Sequence, residues 1–416
     1  MNESIIGSTN KYLLPQISTM LIFFRRSIAV MLSAYLGIPH GRQISCFVAI
    51  ALMGIWIFKN RKINIYTPHL SLLYMLGLYL ISMRLTPNIY VSEYFTIFFM
   101  YVFVGGLAIT SCKDSEALLK TFCNWSVVLF LLCGPIPFME RNISYMSMGE
   151  FSSGMSYGEW VLTPAFIGLY LLRKRYGKRY MIILEIVCFI LVLIYANRGS
   201  LMSVVAFLIV YELFIENKRS RRSIIKWLIL SALTIVVYFQ LENILLLIQS
   251  QILSPLGISS RSISNYIQIL SSETLDMSVI SVGRVNTSSA AGEFFKSNPF
   301  FGIGIGTFRV ETGHAYTHNF ITDAITTFGL IGGFPILFIA VKACIKSFIE
   351  KNLTCRLLLL VFLVQTFPRL LFSQSFVIDV TFWMFILLAL CGKMMFDNSN
   401  KGQGNYDKEN KIYLAK

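Results

Sequence analysis

Long apolar runs of membrane-spanning length recur along the whole chain, and Lys and Arg gather at every second junction between them. A helix needs about 20 mostly apolar residues to cross a bilayer, within a range of about 17–25. Twelve candidate spans can be laid out: 15–38, 43–58, 67–83, 92–110, 121–138, 157–172, 180–196, 199–215, 224–243, 318–341, 354–372 and 373–392. Only 14% of the residues are charged and 55% are hydrophobic. Soluble domains carry roughly 25% charged residues, so a soluble globular fold is excluded. Disorder is excluded as well, because it needs low hydropathy and high charge. The expectation is an all-α integral membrane protein: one polytopic domain over residues 1–416, with a large outer loop at 244–317 and a polar tail at 393–416.

The first span is interrupted by Arg25 and Arg26. Such a pair either snorkels or marks a kinked interfacial entry. Met1–Lys11 lacks a basic leader region, and no clear small-residue cleavage site follows, so no cleavable signal sequence is expected.

Charge placement sets the orientation. With the N-terminus inside, 25 of the 36 Lys and Arg fall on the inner side. Nine fall outside: Arg42, Arg84, Arg141, Arg198, Arg261, Arg284, Lys296, Arg309 and Arg369. Arg25 and Arg26 lie within the first span. The net charge of +15 thus mostly serves topology, and no nucleic-acid partner is implied. All eight cysteines lie in spans or on the inner side, so neither a disulfide framework nor a structural zinc site is expected.

The inner loops are too short for a nucleotide-binding domain, and no GxxxxGK[ST] or Asp-x-Asp motif occurs. An ATP-driven pump or a transferase with a cytosolic catalytic domain is therefore not expected. Function should sit in the outer loop 244–317, because long loops are usually functional or disordered. Its stretches Ile263–Leu270 and Ala290–Lys296 read as short amphipathic helices on the outer face.

Ser297 to Phe308 carries three alternate glycines, Gly302, Gly304 and Gly306. No strand precedes them and no helix is expected directly after Gly306, so a tight turn is favoured over a phosphate cradle. At the start of the tenth span, His318, Thr322 and Thr326 form one helical column, and Asn319, Asp323 and Thr327 form a second. The threonines read as interhelical hydrogen-bond formers. His318 reads as functional, since histidine is the usual general base near neutral pH. Arg198 lies in a tight outer turn, Asn197-Arg198-Gly199-Ser200, and interfacial anchor and ligand contact weigh equally there. Arg284 and Arg309 also fall on the outer loop. Arg261 and Lys296 read as solvated charge, and Glu185 and Glu212 as partners of neighbouring bases. Arginine forks suit bidentate phosphate binding. One preorganised donor at a developing negative charge contributes roughly 3–4 kcal/mol. Outer arginines with one histidine suit a lipid pyrophosphate sugar donor.

These residues resemble a known family. Gly283-Arg284, the run Asn298-Pro-Phe-Phe-Gly-Ile-Gly-Ile-Gly306, His318-Asn319 and Gly329-Leu-Ile-Gly332 resemble the O-antigen ligase and polymerase superfamily, and Arg198-Gly199 matches its Arg-Gly turn. The resemblance covers roughly 195–345, and hydropathy extends it along the chain. It implies an inverting, metal-independent glycosyltransferase of the bacterial inner membrane, with its active site facing the periplasm and no cofactor. Donor and acceptor would be glycans on undecaprenyl pyrophosphate, with a chain-length regulator as a family partner. By carry-over, Arg198 and Arg284 bind the pyrophosphate and His318 deprotonates the acceptor hydroxyl. Arg309 and Asp323, to which the family's pattern does not map, are secondary candidates together with Asn319. Arg25-Arg26 departs from the family's apolar opening.

Polymerase is favoured over ligase, because the segment after His318-Asn319 looks more like polymerase examples. A lipid-linked oligosaccharide flippase is the rival from a different class. Transporters tend to show repeated halves and midplane sites. This chain shows no internal repeat, and its polar cluster is one-sided.

Overall fold

The computed structural model describes residues 12–38, 40–61, 65–136, 157–195, 198–215, 246–253, 255, 267, 284–317, 319–372 and 374–396. Fourteen helices organise the described chain. They are α1 (Leu13–Phe23), α2 (Arg25–Leu36), α3 (Gly41–Asn60), α4 (Leu70–Leu85) and α5 (Ile89–Ser111). Then come α6 (Ser115–Cys133), α7 (Thr163–Lys174), α8 (Ile182–Tyr195), α9 (Arg198–Val210), α10 (Arg284–Ser297) and α11 (Thr307–Thr312). The series closes with α12 (Phe320–Ile349), α13 (Leu353–Phe372) and α14 (Val380–Phe396). No strand occurs among the described residues, in keeping with an all-α membrane protein.

Five helices are long and apolar enough to cross a bilayer: Gly41–Asn60, Ile89–Ser111, Ser115–Cys133, Phe320–Ile349 and Leu353–Leu371. The pair α1 and α2, bent by 72°, makes a sixth if taken as one span. Gly199–Ile215 and Val380–Gly392 are shorter apolar helices. Eleven of the twelve expected spans thus overlap helices, though several are too short to cross by length alone. The twelfth, 224–243, lies outside the described residues.

Local chemistry explains where the helices begin. The Asn88 side chain accepts from the Tyr90 and Val91 amides at 3.0 and 3.1 Å and starts α5. The Asp114 side chain does the same for α6, from Glu116 and Ala117. Asn319 caps α12, accepting from Ile321 at 2.9 Å. These caps satisfy amides that the first helical turn leaves without partners. Gly37, in the left-handed region, closes α2 by donating to Leu32 and Ser33.

Burial separates two kinds of helix. In α14 every residue from Phe382 to Ala389 is at most 2% exposed. A helix that is apolar all round is a buried one. It packs against α5, α12 and α13. By contrast α8 exposes Ile183, Ile186, Val187, Ile190 and Leu193. That spacing of three and four residues is one helical face, and a contiguous apolar face of this kind marks a membrane or partner surface.

Polar contacts staple the end of the bundle that the charge count assigns to the inside. Glu116 accepts from Arg175 Nη2 at 2.5 Å, Tyr176 at 2.7 Å and Thr354 at 3.0 Å, which ties α6, α7 and α13 together. Arg173 grips Glu185 with two bonds of 2.6 and 2.7 Å. Tyr170 donates to Glu212 at 3.1 Å. Glu185 has the basic partner that the sequence suggested, whereas the contact described for Glu212 is a tyrosine hydroxyl.

Candidate functional site

The tenth span is not one continuous helix. Within α12, Gly329 adopts φ 62 and ψ −167, and the helix breaks there. The freed backbone groups are taken up by the glycine segment. Ile303 and Gly304 donate to the Thr326 and Thr327 carbonyls at 3.0 and 2.9 Å. In return Leu330 and Ile331 donate to the Pro299 and Phe300 carbonyls at 2.9 and 3.0 Å. Irregular backbone at membrane depth survives only when protein satisfies it in this way.

The glycines are there because the two backbones touch. A Cβ on Gly302 would lie 2.5 Å from the Thr327 backbone, and one on Gly329 would lie 2.3 Å from the Phe300 backbone. The Ile303 and Gly304 amides are committed to the broken helix, the Gly302 amide to the Asn298 carbonyl and the Ile305 amide to Ser82 Oγ, in agreement with a structural turn. The expectation that no helix follows Gly306 is corrected: α11 begins at Thr307, with Gly306 as its left-handed cap. Only a positive φ, open to glycine, lets the chain turn into a helix there.

The same loop ties neighbouring elements together. Asn88 Nδ2 donates to the Ile305 carbonyl at 2.9 Å, and the Ile305 amide donates to Ser82 Oγ at 3.3 Å. Helix α10 lies against α12, where Thr326 Oγ1 donates to the Ala291 carbonyl at 3.4 Å. Ala291, Phe294, Ile303 and Phe308 form a small apolar cluster beneath the loop.

Asp323 is 5% exposed and accepts a 2.6 Å hydrogen bond from Ser375 Oγ. The Thr317 amide also donates to its carboxylate. Thr317 Oγ1 donates to the Asn319 carbonyl at 3.1 Å. Thr317 and Asn319, the residues flanking position 318, are thus clamped to α12 and to the 374–379 segment. That segment is held from several directions. Tyr79 donates to the Val377 carbonyl at 3.2 Å, and Trp383 Nε1 donates to the Phe376 carbonyl at 3.0 Å.

Of the residues expected to carry chemistry, His318 lies outside the described residues. Arg198 and Arg284 open α9 and α10 respectively, and their side chains are also outside what is described. Asn319 is the helix cap, and Asp323 is buried as above. Arg309 stacks over the Tyr90 ring at 4.1 Å and lies 3.9 Å from Glu93. A hydrogen bond to the Tyr94 hydroxyl, with Tyr90 and Glu93 close by, raises its pKa above the ordinary arginine value. Arg309 is thereby engaged with α5. Thr326 and Thr327 are buried and serve packing and the stitched break.

A second polar centre was missed in the sequence. The break between α1 and α2 turns Arg25 and Arg26 into the bundle. Arg25 is 3% exposed and donates to the Ile22 carbonyl at 3.1 Å. Its guanidinium lies 5.6 Å from the Trp160 ring centre, with Arg26 at 4.6 Å and Arg369 at 4.1 Å. Arg26 and Arg369 are thus within about 9 Å of each other, where two like charges repel by roughly 2 kcal/mol at an effective dielectric constant of about 20. Arg369 donates to the Gln365 carbonyl at 2.6 Å, to Asp379 at 3.3 Å and to Thr381. Asp379 also caps α14 through the Phe382 amide at 3.0 Å. The signal for this centre was available: paired arginines inside an apolar run are a functional hypothesis by default.

No protein-family model matches the chain, and no curated protein matches it.

Proposed function

We propose that the chain polymerises undecaprenyl-pyrophosphate-linked oligosaccharide repeat units into surface polysaccharide at the periplasmic face of the bacterial inner membrane. One observation carries the reading: the segment flanking position 318 is fixed. Asp323 bonds both the Thr317 amide and Ser375, while the break at Gly329 is stitched by four backbone hydrogen bonds. A catalytic group needs a backbone held in place before substrate arrives, and the residues on either side of 318 are held in this way.

In the proposed reaction His318 takes the proton from the acceptor hydroxyl. The oxygen attacks the anomeric carbon of the donor and forms the new glycosidic bond. The bond from that carbon to the pyrophosphate oxygen breaks, and its electron pair leaves with the diphosphate. Arg198 and Arg284 hold the diphosphate as its charge grows. Guanidinium forks suit this task, and the attack inverts the anomeric centre.

The deletion strain tests the reading through its polysaccharide ladder. Polymerase loss leaves single repeat units on the lipid A core. Bare core with accumulated lipid-linked polymer indicates an O-antigen ligase instead.

A flippase for lipid-linked oligosaccharide is the second reading, and the broken helices favour it, since transporters build sites from discontinuous spans. The stitching at Gly329 counts against it, because alternating access needs breaks that move. Flippase loss leaves repeat units trapped on the cytoplasmic leaflet and the core bare of even one unit.

A further inference from the structure

We propose that the tip of the glycine loop, Phe300 and Phe301, is sunk among the lipid acyl chains of the bilayer and anchors the loop against α12 there. Such an anchor serves transfer and translocation alike, so it does not rest on the proposed reaction.

No charged residue lies between Lys296 and Arg309. Lys296, Ser297 and Asn298 are exposed, and the chain then presents two phenyl rings in succession. Phe300 is 59% exposed and Phe301 76%, while Ile303, Ile305 and Phe308 of the same loop are buried. The loop thus has an inner apolar side packed on the protein and an outer apolar tip that is not. Exposed apolar surface of this kind meets a partner or a membrane.

The level of the tip along α12 identifies lipid. Leu330 and Ile331 donate to the Pro299 and Phe300 carbonyls at 2.9 and 3.0 Å, so the tip lies beside them. The exposed apolar stripe of α12 begins at the same point and runs through Leu330, Ile331, Phe334, Phe338 and Val341. Steps of three and four residues keep it on one face. Ahead of the break, Ile321 is the one exposed large apolar residue of α12. This helix is long and apolar enough to cross a bilayer, and the stripe is its lipid-facing side. The phenyl pair continues that side without a gap.

Helix rise sets the depth. The first charge on α12 after the break is Lys342, twelve residues beyond Leu330. That separation is about 18 Å at 1.5 Å per residue, whereas the hydrocarbon core is about 30 Å thick. With Lys342 snorkelling to one interface, Leu330 and the tip beside it lie within the acyl layer of the opposite leaflet.

The backbone meets the condition that lipid imposes, since polar groups there must be satisfied internally. The Gly302, Ile303, Gly304 and Ile305 amides all donate within the protein. The Asn298, Pro299, Phe300 and Ile305 carbonyls all accept. A loop that runs through water has no need of this.

Spin labels test the placement. Phe300→Cys and Phe301→Cys each carry a nitroxide in full-length protein, in vesicles of phosphatidylethanolamine and phosphatidylglycerol. Seven of the eight native cysteines are buried and Cys344 is half-buried, so wild-type protein taken through the same labelling supplies the background. Collision with oxygen, which enters acyl chains, is compared with collision with a water-soluble nickel chelate. Phe338→Cys on the α12 stripe is the lipid reference, and Glu293→Cys, exposed on α10, is the aqueous one. The oxygen-to-nickel ratio at both loop sites is expected to exceed that at Glu293→Cys several-fold and to match that at Phe338→Cys. A ratio no higher than at Glu293→Cys places the tip in water and overturns the proposal. Exclusion of both agents also overturns it, because the tip would then be covered by protein, either a second copy or a segment of this chain. The two sites are read separately, so one variant suffices if the other fails to fold.

Discussion

Gly329 and Phe300 lie so close that no side-chain carbon fits between their backbones. A Cβ on the glycine would sit 2.3 Å from the Phe300 carbonyl carbon and oxygen. The φ of 62 at Gly329 adds a second demand that only glycine meets easily. Gly329→Ala should therefore strain the backbone by about 1–3 kcal/mol and also force the loop off α12. Thermal unfolding in detergent should show a large drop. Gly292→Ala is the control, since a Cβ there meets nothing within 4 Å. It should be neutral or stabilise α10 by about 0.5–1 kcal/mol.

Asp323 is the hinge pin of the proposed transfer site. Ser375→Ala removes its 2.6 Å hydroxyl partner and leaves a buried carboxylate less well satisfied, at about 1–3 kcal/mol of stability. Asp323→Ala loses the Thr317 contact as well, and it should cut glycan elongation at least tenfold while the protein still inserts. The ladder of a complemented deletion strain reports this, and an unchanged ladder would separate the clamp from catalysis.

Arg198→Ala, Arg284→Ala and His318→Ala should each abolish elongation with normal membrane levels. Normal polymer in His318→Ala would remove the general base. Arg198→Lys should not restore activity, because a point charge lacks the bidentate fork.

Arg309 should behave differently from those two arginines. Its guanidinium is spent on Tyr90, Tyr94 and Glu93. Arg309→Ala should lower stability by about 0.5–1 kcal/mol, the usual worth of an exposed cation–π contact, and leave elongation near normal. Loss of elongation in this variant, at unchanged stability, would return Arg309 to the substrate site.

Much of the architecture was legible because hydropathy and helix periodicity are local. The capping role of Asn319 can be read from its own neighbourhood, as can the pairing of Glu185 with a nearby base twelve residues away. What stayed hidden depends on distant partners. Nothing near Gly302 announces that its neighbours will bond Thr326 and Thr327, and nothing near Asp323 names Ser375, 52 residues on. Arg25 and Arg26 were visible as anomalies, but their meaning rests on Trp160 and Arg369, which no periodicity connects. At Arg198, Arg284 and His318 the chemistry rests on residue type and motif, because their side chains lie outside the described residues.

The inaccessibility of α14 bears on assembly. This helix is enclosed on every side by α5, α12 and α13, yet it follows all of them in the chain. During synthesis the earlier helices enter the bilayer before their central pillar exists. The contacts α14 makes with them can form only after its own synthesis, so a chain cut short before Val380 lacks the most deeply buried helix described.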